Sequence, residues 1–294
     1  MIVAALLALA PYLTAAFLPH RLAAWLGAMP AWAQLAAPCL LCIPYALVTL
    51  SAGDFAWGWL LLYALLPVAM AGLVAGASDL TRAGKHGHLR WWTLLAVLVV
   101  LGLSVDLRWF ERAWPAHLSI FNKVLLLDAG IYAFVVLRPL PGTGFDLRLR
   151  VRDVLIGLRE FLVYLPIALT LGLSLGFLHL HSFGGTPGPI LARWAEAWIF
   201  TFFFIAVPEE LFFRGWLQNL LEERIGQRWA LAVTAILFGL AHFNKRTVNF
   251  NWRYVLLAAI AGVFYGRAWR QNRRVAASAV THATVDSVWS LWLR

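Results

Sequence analysis

The chain is 294 residues long, 62% hydrophobic and only 13% charged, with a mean hydropathy of +0.76. Soluble domains carry about 25% charged residues, so a soluble enzyme and a disordered polar chain are both excluded. A formal charge of +10 would point a soluble protein towards nucleic acid; in a membrane protein it belongs to cytoplasmic loops facing anionic lipid, and no nucleic-acid partner is expected.

A span needs about 20 mainly apolar residues. Candidates run near 2–18, 32–50, 55–76, 91–105, 124–138, 158–180, 194–218, 229–243, 253–267 and 275–293. The predicted fold is therefore all-α, a polytopic transmembrane helix bundle of about 8–10 spans. The N-terminal MIVAALLALAPYL lacks the basic start of a signal peptide and reads as a retained span. Trp91, Trp92, Trp252 and Trp292 fall near predicted ends, where interfacial aromatics gather.

Cys39 and Cys42 form a C-x-x-C in the apolar run PCLLCIP. A membrane thiol oxidase needs a second cysteine pair, and none exists, so both read as structural. The HGH at 86–88 could bind metal, but a solvated loop is the expected reading. The segments 19–31, 77–90, 138–157, 219–228 and 267–274 hold most of the loop arginine and lysine, which places them in the cytoplasm and both termini outside. Only Lys85, Lys123 and Lys245 are lysine among the 24 basic residues. That bias, with the Ala and Trp richness, suggests a GC-rich bacterial genome. An integral, multi-pass protein of a bacterial inner membrane is expected.

The clearest internal boundary is RPLPGTGFDLRLRVRD, residues 138–153. Its prolines and glycines break the helical pattern, and its alternating apolar and basic residues suit a cytoplasmic interface. The chain is expected to divide there, into an N-terminal transmembrane region (1–150) and a second transmembrane region (151–294).

Inside a bilayer an ionisable side chain costs about 2.5–3.5 kcal/mol on insertion scales, so each is a functional candidate. Asp128 is the main one in the first half. The second half concentrates them: AVPEELFFRGW holds Glu209, Glu210 and Arg214, FGLAH ends at His242, and THATVDSVW holds His282 and Asp286. Glu210 and Arg214 are i,i+4 neighbours able to pair, which leaves Glu209, about 100° round the helix, unpaired. His282 and Asp286 also share a face, as do Phe238 and His242. If the three helices face one another, a free carboxylate meets two histidines. Such a carboxylate could take a proton from water while an imidazole steers that water or stabilises an oxyanion. Helix–helix glue is the competing reading of each residue alone, but six such residues are a costly way to join three helices.

These residues carry a resemblance. EELFFR (209–214) is similar to the E-E-x-x-x-R motif of the CPBP family, the CAAX-protease and bacteriocin-processing (Abi) intramembrane glutamic proteases. FGLAH (238–242) resembles its F-x-x-x-H motif and HATVD (282–286) its H-x-x-x-N/D motif, in family order and on separate spans. The resemblance covers about residues 150–294. It implies that Glu209 and His242 activate water, that His282 and Asp286 hold the oxyanion, and that Glu210 and Arg214 support the first glutamate. Asp286 departs from the Asn of the best-known members; an ionised Asp is a poor oxyanion donor, so it would be protonated or would orient His282. No cofactor and no metal is implied, and the expected partners are the lipid bilayer and a membrane-associated peptide or protein substrate.

Other readings compete. Glu209, His242 and His282 could bind Zn²⁺ with one position open, although no H-E-x-x-H is present. Gly172–Gly176 fits G-x-S-x-G, but it sits in an apolar helix rather than a strand-to-helix elbow, and its glycines read as a packing face. A non-catalytic scaffold or immunity protein and a transporter are the non-enzyme alternatives; the latter predicts two related halves with broken helices, a symmetry not found.

Overall fold

The computed structural model describes residues 1–82, 87–180, 187–245 and 250–293; Lys85, His86, Arg246 and Arg294 lie outside them. Among the described residues there is no strand. Each of the ten apolar segments contains helix, although 158–180 leaves it after Ser174 and 229–243 after Leu240. Six stretches are long and apolar enough to cross a membrane: Ala31–Ala52, Trp57–Asp79, His88–Asp106, Ala116–Leu137, Val151–Ser174 and the 53-residue Gly188–Leu240. A seventh arises if Ile2–Phe17 and Pro19–Gly27, bent by 105°, form one span. The chain is an all-α, multi-pass membrane protein. It divides into two compact units, Met1–Pro141 and Gly142–Arg294.

The first unit holds α1 (Ile2–Phe17), α2 (Pro19–Gly27), α3 (Ala31–Ala36), α4 (Cys42–Ala52), α5 (Trp57–Arg82), α6 (Gly87–Asp106) and α7 (Ile120–Ile131). A 3₁₀ turn at Ala37–Leu41, containing Pro38, separates α3 from α4, and both cysteines at this junction are free thiols. On α1 the buried side is a small-residue stripe, Ala4, Ala8, Ala15 and Ala16, with Tyr12 among them. An aromatic core of Tyr45, Tyr63, Trp114 and Phe121 satisfies its polar tips internally. The Trp114 indole N–H donates to the Tyr63 hydroxyl at 2.7 Å, and that hydroxyl donates to Asn122 Oδ1 at 2.7 Å. Asp128 is buried on α7.

The second unit begins with a connecting loop and continues through α8 (Val151–Ser174), α9 (Pro187–Thr201), α10 (Val207–Glu210), α11 (Asn219–Leu240), α12 (Trp252–Asn272) and α13 (Val275–Trp292). The alternating stretch divides in two: Leu149 and Val151 are exposed among Arg148, Arg150 and Arg152, while the residues before them turn inward. Phe145 and Leu147 are buried in protein, and Asp146 is gripped by Arg148 at 2.9 Å and Arg274 at 3.0 Å. Alternation here serves packing against the α12–α13 turn. Burial alone would raise the Asp146 pKa, but the hydrogen bonds from Arg148 and Arg274 outweigh it and hold the carboxyl below the usual range. Gly144 has φ +70°, and a Cβ there would fall 1.8 Å from the Arg273 carbonyl oxygen, so only glycine fits.

Helix α8 starts earlier than its apolar run suggests. Asp153 at its N3 position accepts from the Arg150 backbone N–H at 3.0 Å, so the first turn forms from charged residues. The helix ends at Ser174, and the glycines of G-x-S-x-G do not form a helix–helix face. Gly176 takes φ +63°, the chain turns back, and the N–H groups of Phe177 and Leu178 donate to the Gly172 carbonyl, a glycine-terminated helix end. Gly172 faces the Leu178 side chain of that returning segment. Packing of α8 on α13 is close: a Cβ on Gly157 would meet Val280 Cγ1 at 2.5 Å.

Candidate active site

Two π-helical turns, Phe202–Ala206 and Leu211–Gln218, flank the short α10 that carries the glutamate pair. Pro208 supplies no backbone donor within α10, and wide turns of this kind gather at functional sites. The local geometry sends the two glutamates to different surroundings. The Glu210 side chain has no exposure, whereas that of Glu209 is 28% exposed.

Glu210 anchors a buried network. Its Oε1 accepts from Arg214 Nη1 at 2.8 Å and from His282 Nδ1 at 2.8 Å. The Ser278 hydroxyl sits between Glu210 Oε2 and the Tyr265 carbonyl oxygen. Arg214 donates its Nη2 to the Gly262 carbonyl at 2.9 Å, and its guanidinium lies 4.6 Å above the Phe238 ring and 5.3 Å from that of Tyr265. Three helices are thereby tied at one point, with the cation placed over aromatic faces that favour it. The His282 ring stacks on Tyr265 at 4.6 Å and meets Phe238 edge-on at 5.6 Å.

The remaining groups line the open side. Because Glu210 can only accept when ionised, His282 Nδ1 carries the proton between them, and Nε2 points onward. It stands 3.5 Å from Asp286 Oδ2 and 3.9 Å from Glu209 Oε2. Glu209 Oε2 is buried with no hydrogen-bond partner, while Oε1 faces Lys245 Nζ at 3.8 Å. His242 follows the end of α11. Its Nδ1 is 2.8 Å from the Phe238 carbonyl, which only accepts, so Nδ1 bears the hydrogen, and Nε2 is the atom left to present a lone pair when the ring is neutral. A cavity of about 70 Å³ lies against His242, His282 and Asp286, walled by Tyr164, Tyr254 and Trp289. It has room for water beside two imidazoles and a carboxylate.

All six residues singled out from the sequence therefore lie in one part of the second unit. Glu210 holds His282, and Arg214 in turn holds Glu210. Among the described residues, no group of three His, Cys, Asp or Glu side chains is arranged to hold a metal ion. Sequence reasoning missed Ser278, Lys245 and Tyr265. Ser278 had a usable signal, since it stands one turn before His282 on the same face; Lys245 registered only as loop charge, and Tyr265 carried no mark beyond being aromatic.

A helical membrane protein with paired glutamates, an arginine and two histidines drawn into its interior has the make-up of a membrane hydrolase. Residues 191–288 match the family model described as type II CAAX prenyl endopeptidase Rce1-like. This third of the chain is similar to that family, which agrees with the three-motif resemblance and supports a membrane protease acting on a peptide or protein. Neither the curated proteins nor the solved structures returned a match.

Proposed function

We propose that the protein is an intramembrane endopeptidase in which Glu209 activates water to cleave a membrane-associated peptide or protein precursor. Residues 151–294 form its catalytic region, and 1–150 an N-terminal transmembrane region. The observation that carries this reading is the unpartnered Glu209 Oε2, buried yet facing the His282 ring. A buried carboxylate oxygen without a donor is costly and is suited to receiving a proton from a bound water.

In this scheme, water sits between Glu209 and the Nε2 lone pair of His242. Glu209 takes one proton as the water oxygen bonds to the scissile carbonyl carbon. His282, donating from Nδ1 to Glu210 and from a protonated Nε2 to the carbonyl oxygen, stabilises the oxyanion. Glu209 then passes its proton to the leaving nitrogen as the C–N bond breaks. Asp286 lies one turn past His282 and orients its Nε2 side. Glu210, Arg214 and Ser278 position the imidazole and touch no reacting atom. A bacterial inner membrane fits the arginine-rich composition, and a C-terminal processing or sorting segment fits a small site between helices.

The test compares protein termini in membranes from cells expressing the wild type or Glu209→Gln at matched levels. Termini present only with the wild type identify the substrate and the bond. Identical maps, together with a phenotype on deletion of the gene, would overturn hydrolysis in favour of a scaffold.

A further inference from the structure

We propose that the site opens at the non-cytoplasmic end of the second unit, so that its substrate bond lies in an exported segment of a membrane-bound chain. This rests on the hydrolase reading above and adds the side from which the substrate arrives.

The helices of this unit have two chemically different ends. At one, the α12–α13 turn carries Arg267, Arg270, Arg273 and Arg274. These engage acidic partners from neighbouring elements: Arg267 with Glu160 at 3.1 Å, Arg273 with Glu222 at 2.6 Å and Arg274 with Asp153 at 3.0 Å. The start of α8 adds Arg150 and Arg152, and the start of α11 adds Arg224 and Arg228. The segments that lead away from that end hold Arg193, Lys245, Arg246, Arg253 and Arg294, five cations against the eight just named. Orientation follows the arginine and lysine count rather than net charge, so the salt-bridged end still counts as cytoplasmic.

Exposure within the site runs the other way along the same axis. Glu210 and Arg214 are sealed, and they lie with Ser278, one turn into α13 from the arginine-rich end. Moving away from that end, His282 is 2% exposed, Asp286 one turn further is 30% exposed, and Lys245 beside Glu209 is 38% exposed. At 1.5 Å per residue, His282 stands about 10 Å from Val275 and about 15 Å from Trp292, and the more exposed Asp286 about 16 Å and about 9 Å. The cavity continues in that direction, since Phe177, Leu178, Trp289 and Leu293 all line it. Phe177 and Leu178 come just after α8 ends, and Leu293 just after α13 ends. The site is closed towards the arginines and open away from them.

The test is the reaction of single cysteines with a membrane-impermeant maleimide, in full-length protein lacking its own thiols through Cys39→Ala and Cys42→Ala. Lys245→Cys reports the open end and Arg228→Cys, exposed at the arginine-rich end, reports the other. Labelling of Lys245→Cys in intact spheroplasts, with Arg228→Cys labelled only after permeabilisation, is the expected result. The reverse pattern overturns the proposal. Trp252→Cys, at the same end as Lys245, gives the same reading if Lys245→Cys fails to accumulate. The terminus maps provide the second arm: lost termini should fall in non-cytoplasmic segments. If they fall in cytoplasmic ones, this proposal fails while hydrolysis stands. If no terminus depends on Glu209, hydrolysis fails, and with it the substrate half of the proposal, while the labelling still decides the opening.

Discussion

Arg214 has no exposed side-chain surface and pairs with an equally buried Glu210 at 2.8 Å. Arg214→Met keeps length and apolar contact but leaves the carboxylate without its cation. Removing one partner of a buried pair costs about 3–5 kcal/mol, a factor of roughly 10²–10⁴ in the folding equilibrium. The double variant Glu210→Gln/Arg214→Met removes the stranded charge. What remains is mainly the lost donor to the Gly262 carbonyl and the lost cation–aromatic contact, together about 1–3 kcal/mol. The double variant should therefore be more stable than the single. Unfolding of purified protein in mixed micelles by a denaturing detergent, followed by tryptophan fluorescence, measures both. If Arg214→Met costs under about 1 kcal/mol, or the double variant costs as much as the single, the carboxylate is not held as a charge by Arg214 and the reasoning is wrong.

Gly157→Ala and Gly72→Ala form a matched pair on α8 and α5. The first forces a methyl into Val280 and should cost about 1–3 kcal/mol, whereas the second meets nothing within 4 Å and should stabilise by up to about 1 kcal/mol through helix propensity; equal effects in thermal unfolding would discredit the close α8–α13 approach. Asp146 has a folded pKa below its unfolded value of about 3.9, so the stability it adds is fully present above that value and is lost as pH falls towards the folded value. Asp146→Asn should therefore lower the unfolding temperature at neutral pH and show a smaller acid-induced decline than the wild type below about pH 4; parallel pH profiles would contradict this.

The presence of helices was legible because apolar composition over about 20 residues is a strong signal. Their ends were less so. Residues 151–157 read as the end of a cytoplasmic loop, yet Asp153 caps α8 and Gly157 is buried against α13; polar residues that bond one another inside a protein look from sequence like polar residues in water. The pairing of Glu210 with Arg214 followed from i,i+4 spacing alone. Its attachment to His282 did not, because the contact joins residues 72 positions apart and depends on how helices rotate about their axes. The apolar run 194–218 likewise gave no sign of its two π-helical turns, since composition does not distinguish a π-helical register from an α-helical one.

Arg274 grips the Asp146 carbonyl and the Arg148 carbonyl through Nη2, and Val275 N–H donates to the Gly144 carbonyl at 3.0 Å. These bonds act on the first residues of a helix whose eighth residue is His282. A rigid helix transmits rotation at one end along its whole length. With side chains reaching about 5–6 Å from the axis, a turn of about 20° would carry the imidazole about 2 Å sideways. That is enough to part Nδ1 from Glu210. The loop at 142–150 thus works as an angular stop for α13, and its backbone, remote from every reacting group, helps to set the aim of the histidine.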